Sequence, residues 1–325
     1  MTAQLHVVSG KGGTGKTTVS GALALSLAHE GQHVLLVETE QRGGISQLFD
    51  IPAMGDKETH VARGLGGGEV RGLSIDPKAA FYEYLQLFYK IGRAGGLLEK
   101  FGAVDFATTV APGMRDVLVA GKVYEVVRRD QHHARRGFQP YDAVVLDAPP
   151  TGRIGRFLGV NRELSGLAKM GPIKKQADSI MTMLTSGRSR VHLVTLAEEM
   201  PVQETIDAVA ELRAAGLPLG TIIVNQERAP LLGQQARALL EGATFDTAQL
   251  VDDLSAGGLR VGPTLVDGLV DSGRRLGERL SLQERERERL ATLDLPVISL
   301  PALHEAMDAG GLAELATELH RQGMK

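Results

Sequence analysis

Short apolar runs bounded by turn residues recur at 5–9, 33–37, 73–76, 141–147, 191–195, 220–225 and 296–300. Their length and their valine, leucine and isoleucine content predict strands. Most run continuously apolar instead of alternating, and helical segments separate them, which is the pattern of a parallel sheet covered on both faces. A doubly wound, mostly parallel α/β fold is therefore expected, as one domain over residues 1–325. Helical stretches at about 79–129, 161–186 and 231–293 exceed what a crossover needs and read as insertions into that domain. The glycine-rich stretches 63–72 and 92–96 predict mobile connections. In the run Gln283-Glu284-Arg285-Glu286-Arg287-Glu288-Arg289 opposite charges meet at i,i+3, which predicts a solvated helix face. The last helix carries Leu312, Leu315, Ala316 and Leu319 on one side and is expected to pack on the sheet.

Composition narrows the function. The 325 residues include no cysteine, which excludes disulfides, thiolate zinc sites and a cysteine-held iron–sulfur cluster, so no structural zinc is expected. A formal net charge of −3 gives no general attraction for nucleic acid or an anionic membrane, and no nucleic-acid partner is expected. No apolar run approaches the roughly 18 residues of a membrane span, and the chain runs almost directly into its first strand. The expected location is cytoplasmic.

The densest chemistry follows that strand. Gly10-Lys11-Gly12-Gly13-Thr14-Gly15-Lys16-Thr17-Thr18 meets G-x-x-x-x-G-K-[ST] between a strand and a helix that carries Val19, Leu23 and Leu27 on one face. Gly12, Gly13, Thr14, Gly15 and Thr18 are expected to turn backbone N–H groups onto the phosphates of ATP or ADP. Lys16 reaches the β and γ oxygens, and the Thr17 hydroxyl ligates Mg2+. Asp147 ends an apolar strand, where the magnesium shell needs a carboxylate, here acting through water, and Ala148-Pro149-Pro150-Thr151-Gly152-Arg153 follows as a switch loop with Pro150, Thr151 and Gly152.

The second lysine, Lys11, makes the loop resemble the deviant P-loop of the family that holds septum-placing and plasmid-partition ATPases, nitrogenase iron protein, and arsenite-pump and protein-targeting ATPases. The resemblance implies a dimer in which Lys11 crosses to the partner's nucleotide, as an arginine finger does. Asp147-Ala148-Pro149-Pro150-Thr151-Gly152-Arg153, Ala111-Pro112-Gly113-Met114 and Val224-Asn225-Gln226 are similar to segments of the arsenite-pump and tail-anchored-protein-targeting branch. This likeness implies that Asn225 and the loop Leu300-Pro301-Ala302-Leu303, with Pro301, contact adenine. Glu40, in Glu38-Thr39-Glu40-Gln41-Arg42-Gly43, stands where that branch has an aspartate that orients the attacking water. Its extra methylene predicts weak hydrolysis without a partner, since a displacement of about 1 Å can cost on the order of 100-fold. Arsenite-sensing thiolates and a zinc-clamped dimer are both excluded by the missing cysteines. The overall pattern resembles the paired actinobacterial members, which implies a homodimer or a heterodimer with a paralogous ATPase.

Seven of the five tyrosines and eight phenylalanines fall at Phe81, Tyr82, Tyr84, Phe88, Tyr89, Phe101 and Phe106, and Met170, Met181 and Met183 lie in the next insertion. These either complete a local core or form a surface for a hydrophobic membrane-protein client, as the family resemblance implies. Three functions stay open: an ATP-gated targeting ATPase, a regulatory subunit that binds ATP to assemble with a paralogue, and the energy subunit of an anion pump. Arsenite stimulation is not expected.

Overall fold

The computed structural model describes residues 4–40, 42–64, 66–77, 79–80, 83, 114–129, 140–158, 172–241, 246–303 and 307–324. Their strands form one eight-stranded sheet in the order β3-β4-β2-β5-β1-β6-β7-β8. These are β1 (Gln4–Gly10), β2 (His33–Glu38), β3 (Thr59–Arg63), β4 (Glu69–Ser74), β5 (Ala143–Asp147), β6 (Ser189–Thr195), β7 (Leu219–Glu227) and β8 (Val297–Pro301). Every pairing is parallel except that of β3 with β4. The described helices are α1 (Lys16–His29), α2 (Gly44–Leu48), α3 (Met114–Val127), α4 (Thr151–Leu158), α5 (Pro172–Leu184), α6 (Glu199–Ala214), α7 (Gln234–Glu241), α8 (Thr247–Ala256), α9 (Pro263–Ala291) and α10 (Ala309–Arg321).

The two sheet faces carry separate cores. On one, Val7, Val144, Leu193 and Val224 meet Val123, Ile154 and Leu212 of the covering helices. On the other, Val8, Val145, Val194 and Ile223 meet α1 and α10. Helix α1 is buried at every position from Val19 to Ala28, more than an amphipathic stripe requires, because α10 covers its far side. Leu312, Leu315, Ala316 and Leu319 do pack there.

Two sequence expectations are corrected. Within the stretch 63–72, Arg63 ends β3, Glu69 to Gly72 form most of β4, and the Gly64 N–H donates to the Gly68 carbonyl at 2.9 Å. Its glycines serve close packing: a Cβ at Gly64 or Gly68 would collide with the carbonyl of Ala28, and one at Gly66 with that of His29. The charged run 283–289 is likewise more than a solvated face. Gln283 and Glu286 are buried, Arg289 Nη1 donates to Glu286 at 2.7 Å, and Arg287 reaches Glu227 and Ser299 of the sheet. Met181 and Met183 pack against the first core, which favours the core reading for both. The aromatic group at 81–106, the glycines at 92–96, Met170 and residues 111–113 lie outside the described residues.

One polar pair is set within the second face. The rings of His6 and His192 stack with centroids 5.4 Å apart, and His6 Nδ1 lies 3.2 Å from His192 Nε2. The Thr221 N–H donates to His192 Nδ1 at 3.1 Å, so His192 carries its proton on Nε2 and gives it to His6 Nδ1. His6 must then be protonated on Nε2, a buried atom without a partner. Burial, and Arg190 nearby, lower His6 to about 4; burial, His6 and Arg190 lower His192 to about 3. Both folded values lie below the unfolded one, so the stability these rings contribute is complete above pH 6.5 and is lost as pH falls below it. Each ring should cost about 2 kcal/mol between pH 7 and pH 5. His6→Gln keeps an acceptor for His192 but does not titrate; its melting temperature should fall about 3 °C less than the native chain's over that interval. Equal falls would mean that the pair does not couple to acid unfolding.

Candidate functional site

The sheet order places β5 between β1 and β2, and the site lies where these strands end. Asp147 is in register with Val8 on one side and Glu38 on the other. The loop after β1, the loop after β2 and the loop after β5 therefore converge on one crevice beyond the carboxyl ends of the strands, the usual ligand position of such sheets.

The first loop is braced from behind. Thr14 is buried and its Oγ1 donates to the Lys11 carbonyl at 2.9 Å; Asn225 Nδ2 donates to the Thr14 carbonyl at 2.9 Å. Gly12 and Gly13 are exposed and face open space, where a Cβ would meet nothing. Gly15 is left-handed, with φ +86°, and no side chain caps the helix that begins at Lys16. The N-terminal amides of α1 and the positive end of its dipole are thus free of any side-chain cap, as an anion site requires. Lys16 Nζ donates to the Lys11 carbonyl at 3.4 Å. Burial lowers the Lys16 pKa, while Asp147 and Glu40 oppose that shift.

Beside the loop, Thr17 Oγ1 donates to Asp147 Oδ2 at 2.7 Å, and Ser20 Oγ lies 3.4 Å from Oδ1. Burial raises Asp147 to about 6 even though Thr17 and Lys16 favour its charged form. A partly buried carboxylate next to a hydroxyl suits a magnesium ion that keeps waters and phosphate oxygens as its other ligands. Thr17 and Asp147 would hold that ion, which would neutralise charge on the terminal phosphates. Among the described residues no cluster of three or more His, Asp or Glu side chains forms an all-protein metal cage.

Sequence reasoning singled out only part of this crevice. Glu38 is buried and accepts from the Gly44 N–H at 2.8 Å and from Ser74 Oγ at 3.1 Å, shaping the loop that carries Glu40. Thr39 Oγ1 donates to the Asp147 carbonyl at 2.8 Å, and Ser9 Oγ to the Pro149 carbonyl at 2.7 Å, so the bases of the loops are tied together. The Pro150 carbonyl accepts the N–H of Arg153 at 2.8 Å just ahead of α4, with Thr151 buried and Gly152 exposed. Glu40 is held by two arginines, Arg153 at 3.1 Å and Arg42 at 3.3 Å. Lys11 Nζ lies 2.7 Å from Glu204 of α6 in the same chain. Glu204, 193 positions from Lys11, carried no signal in the sequence; Thr39 did, as part of the string around Glu40.

Asn225 also lines a cavity of about 560 Å3 next to the loop, together with Pro201, Arg228, Arg279, Gln283 and Ala302. That volume is in the range of small-molecule pockets. Pro301 ends β8 and pairs with Glu227, while its neighbour Ala302 forms the wall. Among the described residues no helix is long and apolar enough to cross a membrane.

A family model described as anion-transporting ATPase matches residues 3–189, more than half of the chain. The ATPase BagA of Mycobacterium tuberculosis is 44% identical over 99% of this chain and 94% of its own length. A putative arsenical pump-driving ATPase of Chlorobaculum tepidum is 27% identical over 67% of this chain and 60% of its own. The ATPase GET3 of Lachancea thermotolerans is 26% identical over 67% and 70%. The family model covers more than half of the chain and the mycobacterial relative nearly all of it, so the chain belongs to the anion-transporting ATPase family.

Proposed function

We propose that the chain binds and hydrolyses Mg-ATP and uses the nucleotide to control assembly, with a second copy of itself or with a paralogous ATPase, and through it the capture of a hydrophobic segment of a client protein. The observation that carries this reading is the convergence of Lys16, Thr17 and Asp147 beneath an open glycine loop whose other lysine is held in reserve. Lys16 and the α1 amides bind the phosphates, and Asn225 with the adjoining cavity takes the nucleoside. Lys11 and Glu204 are both part-exposed, at 31% and 39%, so their ion pair is weak and exchangeable. Release of Lys11 from Glu204 lets it act across an interface. In the nucleotide-free chain both oxygens of Glu40 are occupied by arginines, so an attacking water finds an acceptor there only after one of them is displaced, which favours slow turnover in the isolated chain. Leu231, Leu239, Leu259, Leu265 and Leu269 are each more than half exposed on the 231–293 insertion, and Leu265 and Leu269 stand one turn apart on the same side of α9, apolar side chains left for a protein partner to cover.

Mass measurement with and without nucleotide, alone and with a candidate paralogue, tests this reading. Lys16→Ala should lose nucleotide affinity by about 100-fold or more, whereas Lys11→Ala should keep binding and lose partner-dependent turnover. Glu204→Gln should assemble at lower nucleotide concentration than the native chain. Equal loss of nucleotide binding in Lys11→Ala and Lys16→Ala would overturn the cross-interface role.

A further inference from the structure

Glu40 binds a different arginine with each oxygen: Oε1 accepts from Arg153 Nη1 at 3.1 Å, and Oε2 lies 3.3 Å from Arg42 Nη2. The carboxylate is the fixed member, at 20% exposure, against 47% for Arg153 and 75% for Arg42. Arg153 stands in the first turn of α4, six positions past Asp147, on the segment that leaves the magnesium-type carboxylate. Glu40 stands two positions past β2, on the loop whose base is tied to the Asp147 carbonyl through Thr39. The ion pair therefore joins the outer parts of the two loops that flank the phosphate crevice. Glu40 and Arg42 both lie close enough to Lys16 to act on its charge, which sets the cluster beside the lysine that meets the terminal phosphates.

We propose that Arg153 is a specificity-determining residue that reads the terminal phosphate of the nucleotide, and that Glu40 is its seat in the nucleotide-free chain. A guanidinium presents the same planar fork to a carboxylate and to a phosphate, so it passes from one to the other without changing its hydrogen-bonding geometry. A half-exposed pair is held weakly enough to exchange when a more highly charged anion arrives. Arg42 remains on Oε2 as Arg153 leaves, so Glu40 is not stranded, and its freed Oε1 becomes an acceptor beside the crevice. A diphosphate places no group there and leaves Arg153 on Glu40. The inference rests on the ATPase reading above and gives that reading its means of telling ATP from ADP.

Equilibrium binding of Mg-ATP and Mg-ADP to the full chain, with single-turnover hydrolysis, tests it in the native protein, Arg153→Ala, Arg153→Lys and Glu40→Gln. Arg153→Ala should weaken ATP about tenfold and change ADP less than about twofold, with Arg153→Lys in between, because lysine keeps the charge but loses the fork. Glu40→Gln should move the ATP-to-ADP preference the other way, raising it about threefold as Arg153 is released, while hydrolysis falls. ADP binding serves as the control for folding in every variant. Equal losses for ATP and ADP in Arg153→Ala, or no loss in either, would overturn the inference and leave the ATPase reading standing. A native chain that binds neither nucleotide would overturn both.

Discussion

Asp147→Asn is expected to lower magnesium-dependent ATP hydrolysis by at least about a thousandfold and at the same time to give a nucleotide-free chain that melts higher than the native protein. The two effects have one cause. Asp147 is partly buried at the end of β5 and raised to about 6, chiefly by desolvation and further by Glu38, in spite of the Thr17 and Ser20 hydroxyls and Lys16. Its folded pKa lies above its ordinary value of 3.8, so its contribution to stability is favourable at low pH and is lost as pH rises through 6. At neutral pH, holding the ionised carboxylate without a metal costs on the order of 2–3 kcal/mol. Asparagine removes that charge and still accepts the Thr17 hydroxyl. The variant's advantage should be nearly absent near pH 4 and reach about 3–4 °C at pH 7.5. Melting without nucleotide at the two pH values, with single-turnover hydrolysis in Mg2+, reads both effects. A variant less stable than the native chain at pH 7.5 would show that the attraction between Asp147 and Lys16 outweighs the desolvation of the carboxylate.

The parts of this molecule that were legible in its sequence are those with local causes. Continuous apolar runs mark the parallel strands because both faces of the sheet are covered, and the glycine spacing marks the loop because phosphate binding needs its amides in one short segment. β3 escaped notice because Thr59–Arg63 is an edge strand, only partly buried, and lacks the apolar run of a central strand. The glycines before β4 read as mobile, since nothing nearby in the sequence shows that the end of α1 lies against them. The charged run on α9 read as solvated because the partners of Gln283 and Arg287, at Arg228 and Glu227, are more than 50 positions away. In the site, Lys16, Thr17 and Asp147 are legible from motif and strand end, and the Thr17 hydroxyl donates to Asp147. The seats of Lys11 and Arg153 were not read from the sequence: an ion pair between surface side chains leaves no periodic or compositional trace.

Gly15→Ala should cost more than about 100-fold in nucleotide affinity, and how that loss combines with a change at Asn225 tells which constraint sets the loop. Gly15 has φ +86°, a conformation that alanine adopts only at a cost of about 1 kcal/mol. The larger obstacle is steric: a Cβ there would collide with Asn225 Nδ2, the atom that donates to the Thr14 carbonyl at 2.9 Å. The substitution must therefore displace either the loop that presents the amides or the buried side chain that braces it. Asn225→Ala alone removes the brace and one wall of the cavity and should cost about tenfold. It also clears the space that Cβ needs. In that background Gly15→Ala should cost only the backbone strain, less than about tenfold, so the combined loss falls well short of the product of the two. ATP binding to the four proteins closes the cycle. If the losses instead multiply, the left-handed turn at Gly15 sets the affinity by itself, and Asn225 acts on the nucleotide directly rather than through the loop.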